Sequence, residues 1–168
     1  MREASSVHRT VFFDSGNDLL KYGVWPRRIR GHFMAADYLE FSIVSDRKYT
    51  RNHLWMQLVD KEEGTWKIGV SDCMVQELGE ILRVVPAEVN DEFSEDDVLF
   101  SLRASDDRET FHSPCAGKVM EVNNELEGNP ELVSEDAYSE GWILLIDPHD
   151  FDEDQLLTAE EYIESLED

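Results

Sequence analysis

The chain has 168 residues, 41% of them apolar, and 38 acidic against 15 basic side chains give a formal net charge of −23. That length and apolar share exclude global disorder and suit one domain with an appendage, while the excess negative charge argues against nucleic acid as a partner because it repels phosphate. The imbalance is uneven: residues 1–48 carry a net +2 and residues 49–168 a net −25, so the main domain favours partner proteins with basic surfaces, with solubility or a salty cytoplasm as the competing cause of the acidity. No apolar run approaches the ~20 residues that cross a bilayer. The first thirty residues lack a continuous apolar stretch, and Asp14 and Asp18 suit a mitochondrial presequence poorly. A soluble, cytoplasmic protein without a membrane partner is the expectation. Cys73 and Cys115 are too far apart for a CxxC motif and too few for a disulfide framework, so both are expected as reduced, partly buried thiols.

In chain order, residues 1–48 read as an N-terminal extension of unclear structure. Val11-Phe12-Phe13 suits a short strand, Leu19 to Tyr22 a helical turn and Tyr38 to Val44 a second strand. Between them Trp25-Pro26-Arg27-Arg28-Ile29-Arg30 reads as a basic loop, a weak signal for an acidic partner and a better one for a solvated edge or a contact with the acidic domain. From Tyr49 the pattern sharpens. Tyr49 to Val59 is a lead-in and strand, Lys61 to Gly64 a turn, and Trp66 to Val70 the returning strand. Ser71-Asp72 supplies a helix cap, Met74, Val75 and Leu78 share a helical face, and Gly79 stops the helix. Ile81 to Val85 is a strand, and Asn90 to Asp97 a charged turn.

Val98 to Leu102 and Lys118 to Val122 read as two strands flanking a polar crest and the turn signal Ser113-Pro114-Cys115-Ala116-Gly117. Asn129-Pro130-Glu131 starts a helical turn over residues 131–133, and Gly141 to Ile146 is a buried closing strand. Thr158 and Glu161 have the spacing of a capping box, with Leu157 and Tyr162 as its staple; Ala159, Tyr162, Ile163 and Leu166 then line one side of a terminal helix. Short strands with few helices predict a mainly β fold.

These segments carry a resemblance. Tyr49-Thr50-Arg51-Asn52-His53-Leu54-Trp55 is similar to the Y-T-x-x-H-E-W segment of the glycine cleavage H-protein family. Gly69 to Asp72 and Leu78 to Ile81 match its G-I-T-D-x-A-x-x-x-L-G-D-I segment. Ser113-Pro114, Gly117 to Val119, Glu121 to Asn123 and Leu126 to Val133 match S-P-x-x-G-x-V-x-E-V-N and L-x-x-N-P-E-L-V. The closing G-E-G-W segment and the tail correspond to Ser139 to Trp142, Leu156-Leu157 and Tyr162. The resemblance covers about 120 of 168 residues, and it implies a lipoyl-type barrel-sandwich hybrid over residues 49–168, with short helices, a C-terminal helix and the N-terminal extension outside it. In that frame Gly79 and Gly117 are read as positions of positive φ.

In the family a hairpin lysine carries lipoate. The ungapped match puts Arg103, Ala104 and Ser105 before that lysine and Asp106 at it, with Thr110 and His112 at the following aspartate and tyrosine. Asp106 cannot form the lipoyl amide, which needs an amine. Leu54 replaces the acid of H-E-W and Glu77 a histidine that contacts the arm in some members, so the resemblance implies a scaffold with no lipoate cofactor. The expected function is a non-lipoylated binding or regulatory protein with no catalytic site, whose partners are glycine cleavage or lipoate-attachment enzymes. The alternative is a working aminomethyl carrier modified at an unexpected lysine; Lys118, nearest in sequence, is a poor substrate if it lies in a strand. A third reading makes Asp106, Asp107, Glu109 and His112 a metal or acid–base cluster on one exposed turn, against which a solvated crest is the simpler account. His8, His32, His53 and His149 have no ligand spacing, and His53 is expected beside Trp55.

Overall fold

Leu54, Trp55 and Met56 are consecutive and all fully buried, which a half-exposed strand does not allow. A sheet covered on both faces does. The computed structural model describes residues 10–13, 20–29, 32–105 and 107–166. In it, strands β4 (Lys48–Tyr49), β5 (Leu54–Asp60) and β6 (Thr65–Val70) join β8 (Glu92–Phe93), β11 (Ala116–Val122) and β12 (Leu144–His149) in a six-stranded sheet of order β4-β5-β6-β12-β11-β8. Strands β7 (Ile81–Pro86), β9 (Val98–Ala104) and β10 (Arg108–His112) make a three-stranded sheet of order β10-β9-β7. Leu54 and Met56 point into one core with Ile68, Val84, Phe100, Leu102 and Val119 from both sheets. Trp55 points the other way, into a second cluster with Ile43, Tyr49, Cys73, Ala159, Tyr162 and Ile163.

Helix α1 (Asp72–Leu78) forms as its sequence predicts. Ser71 accepts the Met74 N–H, and Gly79 closes the helix at φ +86°, where a side chain would be strained. Gly117 departs from the expectation of positive φ. It is required for space, because a Cβ there would meet the Asp147 carbonyl oxygen at 2.6 Å. The capping box of α4 (Ala159–Leu166) is present in both directions: Thr158 N–H donates to Glu161 Oε1 at 2.9 Å and Glu161 N–H to Thr158 Oγ1 at 3.1 Å. Backbone bonds between Tyr49 and Leu157 tie the start of that segment to β4.

Several elements differ from the sequence reading. Leu20 to Tyr22 belong to strand β2 (Leu20–Ile29), not a helical turn, and Trp25 to Ile29 continue that strand instead of looping; Leu19 and Arg30 lie outside the described residues. A four-residue stretch has too little helical preference of its own to resist strand pairing, and β2 is held between β1 (Thr10–Phe13) and β3 (His32–Val44) in an antiparallel sheet. This sheet is tied to the rest by Ile43 in the second cluster and by Tyr49, whose hydroxyl donates to the Val44 carbonyl at 2.6 Å and accepts its N–H at 2.9 Å. The charged turn over residues 90–97 contains β8, paired with Gly117 and Lys118. Helix α2 (Glu125–Gly128) is additional, α3 (Leu132–Glu135) starts one residue later than its proline suggests, and β12 starts at Leu144 because Gly141 is wedged against the Leu132 and Asp136 carbonyls.

The largest correction concerns the central hairpin. The strand returning beside β9 is β10, inside the supposed polar crest, whereas β11 crosses to the other sheet and pairs with β12 and β8. Polar Arg108 to Thr110 hide β10 in the sequence. Phe111 fixes it, stacking on Phe100 directly opposite with ring centres 5.0 Å apart.

Candidate functional site

The hairpin turn joins β9 to β10. Its last register pair is Arg103 with Arg108, and Ala104 N–H donates to the Asp107 carbonyl at 2.8 Å. Ala104 is buried beneath the turn, while Ser105, Asp107 and Arg108 are exposed; the Asp107 carboxylate accepts the Arg108 N–H at 2.8 Å. Asp106, the residue matched to the family's lysine, lies outside the described residues. The turn closes one end of the three-stranded sheet, where Ile81 of β7 pairs with Ala104 of β9, and its exposed residues Ser105 and Asp107 are open to a docking contact.

The supposed acid–base cluster is not gathered on one turn. Glu109 and His112 belong to β10, where His112 Nδ1 bonds the Asp96 carbonyl at 2.9 Å. Burial, and then the Asp107 charge, raises the Glu109 carboxyl above its ordinary range. Among the described residues no group of three His, Cys, Asp or Glu side chains could hold a metal ion. Leu54 is fully buried in the main core, so its side chain has a packing role; Thr110 is exposed on β10 and Glu77 half-buried on α1. Lys118 lies on β11 opposite Asp147 and Glu92, and Lys61 lies exposed in the turn between β5 and β6. Cys73 and Cys115 are free and buried, the latter's thiol pushed up to about 11 by desolvation, so neither is activated.

A buried polar chain went unread in the sequence. Tyr162 Oη is 2.6 Å from Ser71 Oγ and 2.7 Å from His53 Nδ1, and the Tyr162 ring stacks on Tyr49. His53 therefore has Tyr162 as its ring partner, edge-on at 5.8 Å, where Trp55 was expected. Serine, tyrosine and histidine in contact look catalytic on paper. Here Ser71 and Tyr162 are fully buried and Ser71 also caps α1, so the chain serves to lock α4 onto α1 and β5. Arg47 was likewise assigned by sequence to the extension, yet it is nearly buried over Trp55, its guanidinium 4.6 Å from the ring centre, and donates to the Tyr138 carbonyl.

Burial holds the His53 imidazole below its ordinary 6.5. An unfolded histidine then takes up a proton near 6.5 while the folded one does so only at lower pH. Between those two values the unfolded state holds more protons and stability falls as acid is added. Urea midpoints at about pH 7.5 and about pH 5.5 should differ in that direction. His53→Asn, which removes the titration and tolerates the φ of +72°, should flatten the difference.

Two sheets around one core, short helices and a hairpin with an exposed turn define the class: a lipoyl-type barrel-sandwich protein. The Glycine cleavage H-protein family model matches residues 47–168. The chain is 35% identical over 128 residues to the glycine cleavage system H protein of Oceanobacillus iheyensis, covering 76% of this chain and 99% of that one. It is 38% identical over 125 residues to that of Alkalilimnicola ehrlichii, covering 72% and 92%. The crystal structure of a glycine cleavage system H protein from Mycobacterium marinum superimposes with a TM-score of 0.66 at 26% identity, over 73% of this chain and 97% of that chain. The chain belongs to the glycine cleavage H-protein family. Among the described residues no helix is long and apolar enough to cross a membrane.

Proposed function

We propose that this member of the family carries no lipoate and works by contact with other proteins, doing no chemistry of its own. The supporting observation is a hairpin of the family's kind whose turn sequence, Ala104-Ser105-Asp106-Asp107, offers carboxylates and a hydroxyl but no amine. Arg103 and Arg108 are no substitute, since guanidinium stays protonated. The partners on this reading are enzymes of glycine cleavage or lipoate attachment, drawn to the domain of residues 49–168 by its net charge of −25, and the protein acts in the cytoplasm.

One observation favours a second reading, a working aminomethyl carrier. Lys61 is exposed at a hairpin turn, the setting a lysine-modifying ligase requires. Intact-mass spectrometry after co-expression with a lipoate ligase separates the two. The unmodified mass is expected, and a lipoyl increment mapping to Lys61 would establish the carrier instead. Asp106→Lys, on the retained scaffold, is expected to become partly lipoylated under the same conditions, with the increment on the hairpin peptide.

A further inference from the structure

Three of the seven basic residues between positions 49 and 168 stand side by side across one sheet. Arg83 of β7 is opposite Arg103 of β9, which is opposite Arg108 of β10. Directly opposed residues in antiparallel strands project from the same face about 5 Å apart, and all three arginines are exposed. Like charges so placed repel and destabilise the sheet. In a domain with 32 acidic residues to draw on, chance neighbours would neutralise such a row. Among the described residues, however, none of the three arginines makes a salt bridge with another described residue. Beside the row lie Leu82, at the β-bulge where Ile81 and Arg83 shift register, and Val85, which are 48% and 42% exposed. Arg83 and Val85 also line a pocket of about 280 Å³ together with Val84, Leu126, Glu127 and Ile143.

We infer that this outer face of the three-stranded sheet is a docking site for an acidic and apolar segment of a partner protein, its carboxylates held by Arg83, Arg103 and Arg108 and its apolar side chains by Leu82 and Val85. Guanidinium forks match carboxylates two bonds at a time. A nucleic acid has no apolar side chains for Leu82 and Val85, and its long run of phosphates meets the domain's negative field beyond the row. A short acidic segment stays within about one screening length of the arginines. A cationic row on an acidic protein also fixes the orientation of a partner that an acidic surface alone would only attract.

The site is tested on the full chain by fluorescence anisotropy with a fluorescein-labelled peptide alternating glutamate and leucine, and with a control in which every glutamate is glutamine. The glutamate peptide is expected to bind saturably and more weakly as salt is raised. Arg103→Thr and Arg83→Thr should each weaken it by roughly tenfold or more, and Arg51→Thr, in a turn away from the row, should leave it unchanged. Threonine suits a strand and relieves the repulsion, so the Arg103→Thr variant is also expected to melt no lower than the parent. Failure of the glutamate peptide to bind, equal binding of the glutamine peptide, an unchanged affinity in Arg103→Thr, or tighter binding of a single-stranded oligonucleotide or inorganic phosphate would each overturn the inference. It rests on reading this protein as one that works by contact, and the two fail separately: a lipoyl adduct overturns that reading and leaves the peptide result standing.

Discussion

Gly69→Ala is expected to cost about 3 kcal/mol, roughly 10 °C in melting temperature. Gly69 of β6 is paired with Trp55 of β5, and a Cβ at this glycine would overlap the Trp55 indole at Cε2, Cζ2 and Nε1. A tip of flexible side chain could move aside, but this indole cannot. Its Nε1–H donates to the Ala137 carbonyl at 2.9 Å, Arg47 covers its face, and Tyr138 packs at 6.3 Å. Displacing the ring would leave a buried donor without its acceptor as well as straining the core. Thermal unfolding followed by tryptophan fluorescence measures the loss, and a melting temperature within a degree or two of the parent would show that the ring has somewhere to go. The smaller variant Trp55→Phe combined with Gly69→Ala should recover part of the loss, because the six-membered ring leaves the space the methyl needs.

Tyr162→Phe is expected to cost about 1–3 kcal/mol although the aromatic ring is kept. The hydroxyl it removes joins the buried Ser71 Oγ and the half-buried His53 Nδ1, and Tyr162 itself is fully buried. The stacked contact with Tyr49, 4.8 Å between ring centres and 7° from parallel, survives the change, so the loss reports the polar chain and not the packing. Denaturant unfolding of Tyr162→Phe, Ser71→Ala and the double variant forms a cycle. The double variant should be less destabilised than the sum of the singles, since the second change no longer strands a partner. Additive losses would mean that the two hydroxyls act independently.

On the proposed reading a family scaffold parts from its chemistry. The strands, the turn and the core beneath Ala104 depend on apolar side chains and backbone pairing, which tolerate any polar residue at the exposed turn. Attachment of a prosthetic group depends on one amine there. The fold can therefore persist when that amine is absent, and Leu54 is a fully buried residue of the main core.

The sequence alone settled whatever depends on neighbours along the chain. The Ser71 cap with its Gly79 stop, the Thr158 and Glu161 capping box, and the β5–β6 hairpin over residues 61–64 are local hydrogen-bond and dihedral requirements, and each is present. The family was legible too, because its motifs are glycines, prolines and aromatics whose spacing the fold fixes. Only the tertiary structure decided which strand returns beside β9, since Arg108 to Thr110 carry no apolar alternation and the Phe100–Phe111 stack joins residues that no local pattern pairs. The same holds for the strand identity of Leu20 to Ile29, for the Tyr162, Ser71 and His53 chain drawn from three distant segments, and for the arginine row. Positions 83, 103 and 108 are unremarkable in the chain; antiparallel register alone sets them side by side, because a one-residue change in pairing would turn each arginine to the opposite face.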